Sequence, residues 1–243
     1  MQTWGLTDQG NIREQNQDSY AIVPFGRDRV LMIVCDGMGG AKSGNVASAL
    51  AVEVFTDEVR RTQKPAMTAE KAARMLRGAL ELANRAVYEQ SQLSEDFTGM
   101  GTTLVAAWLS RDLAVIVNVG DSRAYHFTKE DVSLVTRDHS MVAYMVERGE
   151  LTQEQAKLHP GKNVITRAVG TEPEVEGDIF ICKLRKDECL LLCSDGLSNE
   201  MADQEMLFEV VHGINKSDCC QRLLHIAKKR GAPDNVTVAL AVV

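Results

Sequence analysis

Apolar residues are grouped in short runs along the chain, and most of these runs have the length of β-strands. Val, Ile, Leu and aromatic residues dominate the runs, as is typical of strands. The second and third runs are separated only by Ser-Arg-Asp, which has the length of a hairpin turn. The pattern predicts strands at 30–35, 102–109, 113–119, 123–127, 133–135, 178–184, 189–194 and 235–243.

Two long stretches between the first and second predicted strands have helical periodicity instead. In the second stretch, Ala72, Leu76 and Ala79 fall on one apolar face at spacings of three and four residues. Pro65 lies between the two stretches and cannot continue a helix. The pattern predicts helices at 43–62, 68–92, 138–148, 152–160, 202–212 and 217–230.

The order of these elements indicates the fold class. Strands mostly follow one another as hairpins, helices come in separate pairs, and regular β-α-β alternation is absent. This order predicts a mixed α+β layered fold rather than a doubly wound parallel sheet. No linker-like composition interrupts the chain, so residues 1–243 are predicted to form one domain.

Composition excludes several classes of protein. The 243 residues are 44% hydrophobic and 25% charged, with a net charge of −7, which argues against nucleic acid or an anionic membrane as a partner. The N-terminus has no secretory signal, and the apolar C-terminal run is too short to cross a bilayer. The six cysteines follow no zinc or disulfide pattern. We therefore expect a cytoplasmic protein with reduced thiols.

The segment LMIVCDGMGGAKSG, at 31–44, combines a strand, glycines and the start of a helix, which is a layout used to bind nucleotide phosphates. The spacing nevertheless fits neither common phosphate motif. Gly37 stands five residues before Lys42 instead of six, and Ala41 takes the place of the second P-loop glycine. Lys42 also occupies the position of the third glycine in a dinucleotide fingerprint. Nucleotide binding by this loop is therefore not expected.

Aspartates at the ends of apolar strands suggest a metal site. Asp36, Asp121 and Asp195 each follow such a run, and Asp234 immediately precedes one. A single aspartate of this kind usually caps a turn or helix. Four of them can meet where strand ends converge, and the repulsion between them then requires cations. Oxygen ligands without His or Cys suit Mg²⁺ or Mn²⁺ better than Zn²⁺.

One further aspartate, Asp18, is accompanied by an arginine five residues earlier. Arg13 on its own is most simply explained as a surface ion-pair residue. Next to a metal-binding aspartate, its guanidinium fork would suit two oxygens of a phosphoryl group, in a geometry that lysine cannot match.

Six short motifs occur along the chain in a fixed order: RxxNQD (13–18), DGMGG (36–40), GTT (101–103), GDSR (120–123), SDGL (194–197) and DN (234–235). This ordered set resembles the protein phosphatase 2C family, the metal-dependent serine/threonine phosphatases, in their compact bacterial form. The resemblance implies a four-layer αββα sandwich, in which two antiparallel sheets are each covered by a helical pair. It also implies a flap region at about 138–165.

The resemblance implies an active site with two metal ions at one edge of the sandwich. Asp36 would bridge the ions, and the carbonyl of Gly37 would bind one of them. Asp18 would support the shell of that ion, mostly through water, while Asp195 and Asp234 would bind the other ion. A hydroxide that bridges the ions would attack phosphorus, so no protein nucleophile is required.

The resemblance also implies roles for residues around these ions. Arg13 would bind the phosphoryl group, and Asp121 would share a third, weaker ion with Asp195. Asn199 stands where some relatives have another carboxylate, which would weaken that third site. Met38 replaces a histidine that is the proposed general acid in animal members, so the proton for the leaving group would have another source.

The remaining histidines near the flap, His139 and His159, are best explained by structural roles, and His159 is the better candidate for substrate contact. The expected substrates are proteins phosphorylated on serine or threonine by an opposing eukaryotic-like kinase, and we expect a monomer. Two alternatives are open: a non-catalytic phosphoprotein-binding module, and a hydrolase of small phosphorylated metabolites. The module is disfavoured because the ligand aspartates are present.

Overall fold

The structure is a computed structural model that describes residues 1–39 and 43–243. Gly40, the last residue of the DGMGG motif, lies outside the described residues, as do Ala41 and Lys42. All six cysteines are free thiols. Within the described ranges, no helix is long and apolar enough to span a membrane.

Two antiparallel sheets form the centre of the molecule. Their strands are long apolar runs paired with neighbours on both sides, and shorter or more polar strands lie at the edges. The first sheet has the order β1 (Gln2–Asp8), β11 (Val236–Val242), β10 (Cys189–Cys193), β7 (Arg123–Phe127) and β8 (Val132–Leu134). The second has the order β2 (Asp18–Pro24), β3 (Arg29–Met38), β5 (Leu104–Ser110), β6 (Leu113–Val119) and β9 (Asp178–Lys183), with the short β4 (Gly101–Thr102) paired to β3.

Helices cover the outer face of each sheet. The second sheet is covered by α1 (Gly44–Thr62) and α2 (Ala69–Ser91). The first sheet is covered by α5 (Asp195–Ser198), α6 (Asp203–Leu207), a π-helical turn (Phe208–His212) and α7 (Cys219–Lys229). The four-layer αββα sandwich is therefore confirmed.

The side chains of β3 show why its sequence is apolar without interruption. Leu31 and Ile33 pack against the helices, whereas Met32 and Val34 pack against the other sheet. Successive side chains point to opposite faces of a strand, so a strand between two apolar layers must be apolar at every position.

Both helices that the sequence predicted in the flap are present, and each is shorter than predicted. They are α3 (Met141–Glu147) and α4 (Gln153–Leu158). Ser140 caps the first, and Thr152 caps the second through a capping box. The predicted helix at 202–212 was also too long, since α6 passes into the π-helical turn after Leu207.

Strands β1 and β2 and helix α5 were not predicted. Both strands lie at sheet edges, and most of their residues are only partly buried. An edge strand needs no continuous apolar run, so its sequence carries a weak pattern. Helix α5 has only four residues, too few to show helical periodicity.

Candidate active site

A cleft of about 480 Å³ opens at one end of the sandwich, where the two sheets meet. The two sheets both contribute to its walls, since Asp36 belongs to β3 whereas Asp195 follows β10. The predicted site residues that line the cleft are Arg13, Asp36, Gly37, Asp121, Asp195 and Asp234. The strand ends that carry the aspartates therefore converge, although they belong to two sheets.

Asp36 lies inside β3, two residues before its end, and its backbone is held by the GTT motif. Its N–H donates to the Thr103 hydroxyl at 2.9 Å. Its carbonyl accepts from the Thr102 hydroxyl at 2.8 Å and from the Thr103 N–H at 2.8 Å. These bonds fix the backbone of Asp36 at the end of β3, where the residue lines the cleft.

Asp18 lies directly opposite Asp36 in the pairing of β2 with β3, but it is not among the residues that line the cleft. Its Oδ2 accepts from the hydroxyls of Ser194 at 2.8 Å and Thr237 at 2.6 Å. Ser194 directly follows β10 and Thr237 lies in β11, so both come from the first sheet. Its Oδ1 is buried and has no hydrogen-bond partner among the described residues. Asp18 thus joins the two sheets with half of its carboxylate unsatisfied.

Asp195 begins α5 immediately after β10. Its Oδ2 accepts from the side chain of Asn199 at 3.0 Å, while its Oδ1 is buried without a partner in the described part of the chain. An unpaired oxygen of a buried carboxylate is costly unless a cation or a proton satisfies it.

Asp234 precedes β11 and contacts Arg13, 221 residues away in sequence. The Arg13 Nη2 donates to its Oδ2 at 2.7 Å. The next residue, Asn235, anchors the loop that carries Arg13. Its side chain accepts from the Gln17 N–H at 2.8 Å and donates to the carbonyl of Gln15 at 3.0 Å. The asparagine of the DN motif therefore has a structural role beside the aspartate.

The carboxylates of this region repel one another in a buried environment. Burial raises the pKa of Asp18 to about 7 and that of Asp121 to about 8, and Asp195 adds repulsion in both cases. Burial likewise raises the pKa of Asp36, with repulsion from Asp18, and the pKa of Asp195, with repulsion from Asp234. Among the described residues, the site therefore has more negative than positive charge.

These residues fit a hydrated hard cation. Among the described residues, no three His, Cys, Asp or Glu side chains are disposed to hold an ion by themselves. Mg²⁺ in particular is usually bound by one or two carboxylates and keeps several waters. The orphaned oxygens of Asp18 and Asp195 and the raised pKa values indicate a need for cations. The described residues that line the cleft include no His or Cys, which disfavours Zn²⁺.

Gly37 is required by close packing at the end of β3. A Cβ atom there would overlap the carbonyl oxygen of Gly44, at the start of α1, and would also lie 2.7 Å from the carbonyl oxygen of Gln17. The Gly37 N–H donates to that Gln17 carbonyl at 3.1 Å. The glycine thus lets three backbone segments meet at the edge of the cleft.

The flap contributes Asn163 and Ile165 to the cleft, and neither was predicted from the sequence. Met38 also lines the cleft, whereas His139 and His159 do not. The Nδ1 atom of His159 accepts from the N–H of Gly161 at 3.0 Å, a local contact within the flap. Thr103 is a further lining residue, and its place in the GTT motif was the one feature of the sequence that pointed to it.

Comparison with known proteins identifies the family of this chain. The sequence model of the family described as "Protein phosphatase 2C" matches residues 11–230. The chain belongs to the protein phosphatase 2C family. A serine/threonine phosphatase stp of Listeria welshimeri is 37% identical to it over 234 residues, which cover 96% of this chain and 92% of that protein.

Solved structures of protein phosphatase 2C relatives have the same fold. Serine/threonine phosphatase Stp1 from Staphylococcus aureus has a TM-score of 0.92 and 35% identity, covering 99% of this chain and 94% of that chain. The catalytic domain of the serine/threonine protein phosphatase PstP, in complex with two manganese ions, has a TM-score of 0.86 and 31% identity, covering 99% and 97%.

Proposed function

We propose that this protein is a metal-dependent phosphatase that hydrolyses phosphoserine and phosphothreonine in proteins, with Mn²⁺ or Mg²⁺ as its cofactor. The observation that carries this proposal is the group of buried aspartates at the cleft, whose carboxylates face mainly one another among the described residues. Family membership supports the reaction, and the manganese complex of PstP supports the cofactor. Either Mn²⁺ or Mg²⁺ suits this site, since both ions prefer oxygen ligands.

We propose that Asp36 and the Gly37 carbonyl would hold one ion with support from Asp18, and that Asp36, Asp195 and Asp234 would hold a second. Bound cations supply Lewis-acid stabilisation of the phosphoryl oxygens and make a water-derived nucleophile available near neutral pH. Asp121 is the proposed ligand of a third ion, and its place in the lining of the same cleft supports that role.

Arg13 is the proposed phosphate-binding residue. Its side chain is 54% exposed at the mouth of the cleft, and the contact with Asp234 uses one of its N–H donors. Contacts with Asp234 orient the guanidinium, while the other donors of the fork match the oxygens of a phosphoryl group. Positive charge at this position stabilises the charge that develops on the phosphoryl oxygens during transfer.

The leaving alkoxide must receive a proton, and Met38 in the cleft cannot provide one. Because no histidine lines the cleft in the described ranges, we infer that water in the open cleft donates this proton. Phosphorylated proteins are the substrates of this family, and we propose that a serine/threonine kinase supplies them here. The single domain, the monomeric state and the cytoplasmic location are further predictions.

The test is hydrolysis of a phosphothreonine peptide with Mn²⁺, with EDTA, and by an Asp195→Ala variant. We expect EDTA to abolish hydrolysis and Mn²⁺ to restore it. Asp195→Ala should lower the rate of hydrolysis by roughly three orders of magnitude, which corresponds to an increase of several kcal/mol in the activation free energy. Asp57→Ala, at an exposed ion pair on α1, is the control and should retain full activity. Hydrolysis that survives EDTA or the Asp195→Ala substitution would contradict the proposal.

A further inference from the structure

We propose that Asp138 and His139, at the N-terminal root of the flap, are positioning residues that hold the Gly120–Asp121 turn at the edge of the cleft. This inference rests on the proposed function, because it assigns a purpose to the position of Asp121. Neither residue lines this cleft, although Asp138 lines a neighbouring cavity together with Asp121, and the role proposed for each is through Gly120 or Arg123.

His139 makes two hydrogen bonds to Gly120. The backbone N–H of His139 donates to the carbonyl of Gly120 at 2.9 Å. The imidazole Nδ1 accepts from the N–H of Gly120 at 3.1 Å. Since Nδ1 accepts, the neutral ring carries its hydrogen on Nε2, which lies 3.3 Å from Oδ2 of Asp178 and 3.2 Å from Nη1 of Arg167. One flap residue therefore satisfies both polar backbone groups of the residue that precedes Asp121.

Gly120 packs closely against Thr103, and a side chain would not fit at this position. Its φ angle is +98°, a conformation that favours glycine, and a Cβ atom would lie 2.6 Å from Cγ2 of Thr103. Thr103 in turn accepts from the N–H of Asp36 and shares a hydrogen bond of 2.7 Å with the hydroxyl of Ser122. Gly120 is thus packed between the flap root and the residue that supports Asp36.

Asp138 holds the other side of the same turn through Arg123. The guanidinium donates from Nε to Oδ1 at 3.0 Å and from Nη2 to Oδ2 at 2.7 Å, which is a bidentate pair. Arg123 Nη1 also donates to the Tyr125 hydroxyl at 3.0 Å. Residues 138 and 139 therefore contact the chain on both sides of Asp121.

The second root of the flap joins at the same place. The Thr166 N–H donates to the carbonyl of His139 at 2.8 Å, and Arg167 Nη1 donates to Oδ1 of Asp178 at 3.0 Å.

Asn118 adds a buried bridge, since its side chain donates to the carbonyls of Gly120 at 3.3 Å and Arg137 at 3.1 Å. Both ends of the flap therefore meet at His139, so the flap and the Asp121 carboxylate share one support.

The test compares His139→Leu, which removes the acceptor, with His139→Asn, whose amide oxygen can still accept from Gly120. His159→Leu is the matched control, because among the described residues the side chain of that flap histidine hydrogen-bonds to Gly161 and not to the Gly120–Asp121 turn. Two quantities are measured on the folded proteins: hydrogen exchange of the Gly120 amide by NMR, and binding of Mn²⁺ alone by titration. The Mn²⁺ site that is lost in an Asp121→Asn variant is identified as the site that depends on Asp121.

We expect His139→Leu to accelerate Gly120 exchange at least about tenfold, as loss of one hydrogen bond predicts. It should also lower the Mn²⁺ affinity of the Asp121-dependent site by about 10- to 100-fold, as is typical of residues that support a metal ligand. His139→Asn should restore both quantities to within about threefold, and His159→Leu should change neither.

Unchanged Gly120 exchange in His139→Leu would overturn the positioning role, and so would an unchanged Mn²⁺ affinity of the Asp121-dependent site. If His139→Leu does not fold, Asp138→Asn takes its place and is expected to lower the Mn²⁺ affinity of the same site. Wild-type protein that binds no Mn²⁺ would contradict the proposed function, whereas Gly120 exchange would still decide the positioning role.

Discussion

Two groups of carboxylates lie next to each other at one end of the molecule, and they differ in their counter-charges. At the flap root, Asp138 is paired with Arg123, and Asp178 is paired with Arg167 and His139. In the cleft, the carboxylates of Asp36 and Asp195 face mainly other carboxylates.

The pKa values express the same difference. Burial acts to raise the pKa of Asp178, but the hydrogen bond from His139 and the charge of Arg167 outweigh it, so this pKa is lowered. Burial raises the pKa of Asp36, and repulsion from Asp18 raises it further. The carboxylates of the flap root are thus neutralised by neighbouring side chains, whereas the described residues of the cleft leave its carboxylates in excess.

The largest expected effect comes from removing the internal cation of the flap root. Arg123→Leu leaves the half-buried carboxylate of Asp138 without its arginine, so we expect the free energy of unfolding to fall by about 3 kcal/mol. Urea denaturation measures this loss. The double variant Arg123→Leu/Asp138→Leu should recover most of it, because no unpaired charge remains. A single variant as stable as the wild type would show that the pair contributes nothing.

The cleft should show the opposite dependence, on protons and cations. Raised pKa values mean that the folded, metal-free protein binds protons that the unfolded chain has released. The contribution of these protons to the free energy of unfolding is therefore complete below pH 4. It is lost as pH rises through the pKa of about 7 for Asp18 and about 8 for Asp121. Each extra bound proton corresponds to about 1.4 kcal/mol per pH unit, so Asp18 alone is expected to account for a loss of about 2 kcal/mol between pH 5 and pH 7.

Urea denaturation at pH 5, 6, 7 and 8 in EDTA measures this slope, and a parallel series in saturating Mn²⁺ is its control. Bound cations favour the ionised carboxylates, so the decline with pH should disappear in Mn²⁺. Metal-free stability that rises between pH 5 and pH 7 would show that the cleft carboxylates are balanced within the chain after all.

The smallest effect is expected at Arg13, which stands between the two groups as an exposed cation on a cleft carboxylate. Arg13→Ala should raise KM about tenfold, the effect of about 1.4 kcal/mol from a charged hydrogen bond, with a smaller change in kcat. Steady-state kinetics with a phosphothreonine peptide measures both constants, with Arg60→Ala at an exposed pair on α1 as control. Equal losses in kcat and kcat/KM would instead assign Arg13 to the transition state alone.

Much of the fold was predictable from the chain. The interior strands and the helices α1 and α2 were placed to within a few residues, because burial on two faces requires uninterrupted apolar runs and burial on one helix face requires periodic ones. Edge strands β1 and β2 have no such requirement, and their sequences did not reveal them.

The predicted site residues were likewise brought to one cleft, with Asp18 just behind it. The partners of those residues were not predictable. Arg13 meets Asp234 across 221 residues, and Asp18 meets Thr237 across 219. Such contacts depend on how two sheets are stacked, which no local pattern specifies.

The amino-acid sequence by itself determined which strands are buried and which strand ends carry carboxylates, because those properties depend on residue type and local periodicity. The tertiary structure alone decided which carboxylates are neutralised. Asp138 and Asp195 are the same residue type, but only Asp138 has its carboxylate in the fork of an arginine. Charge balance depends on distances between segments far apart in the chain, and folding sets those distances.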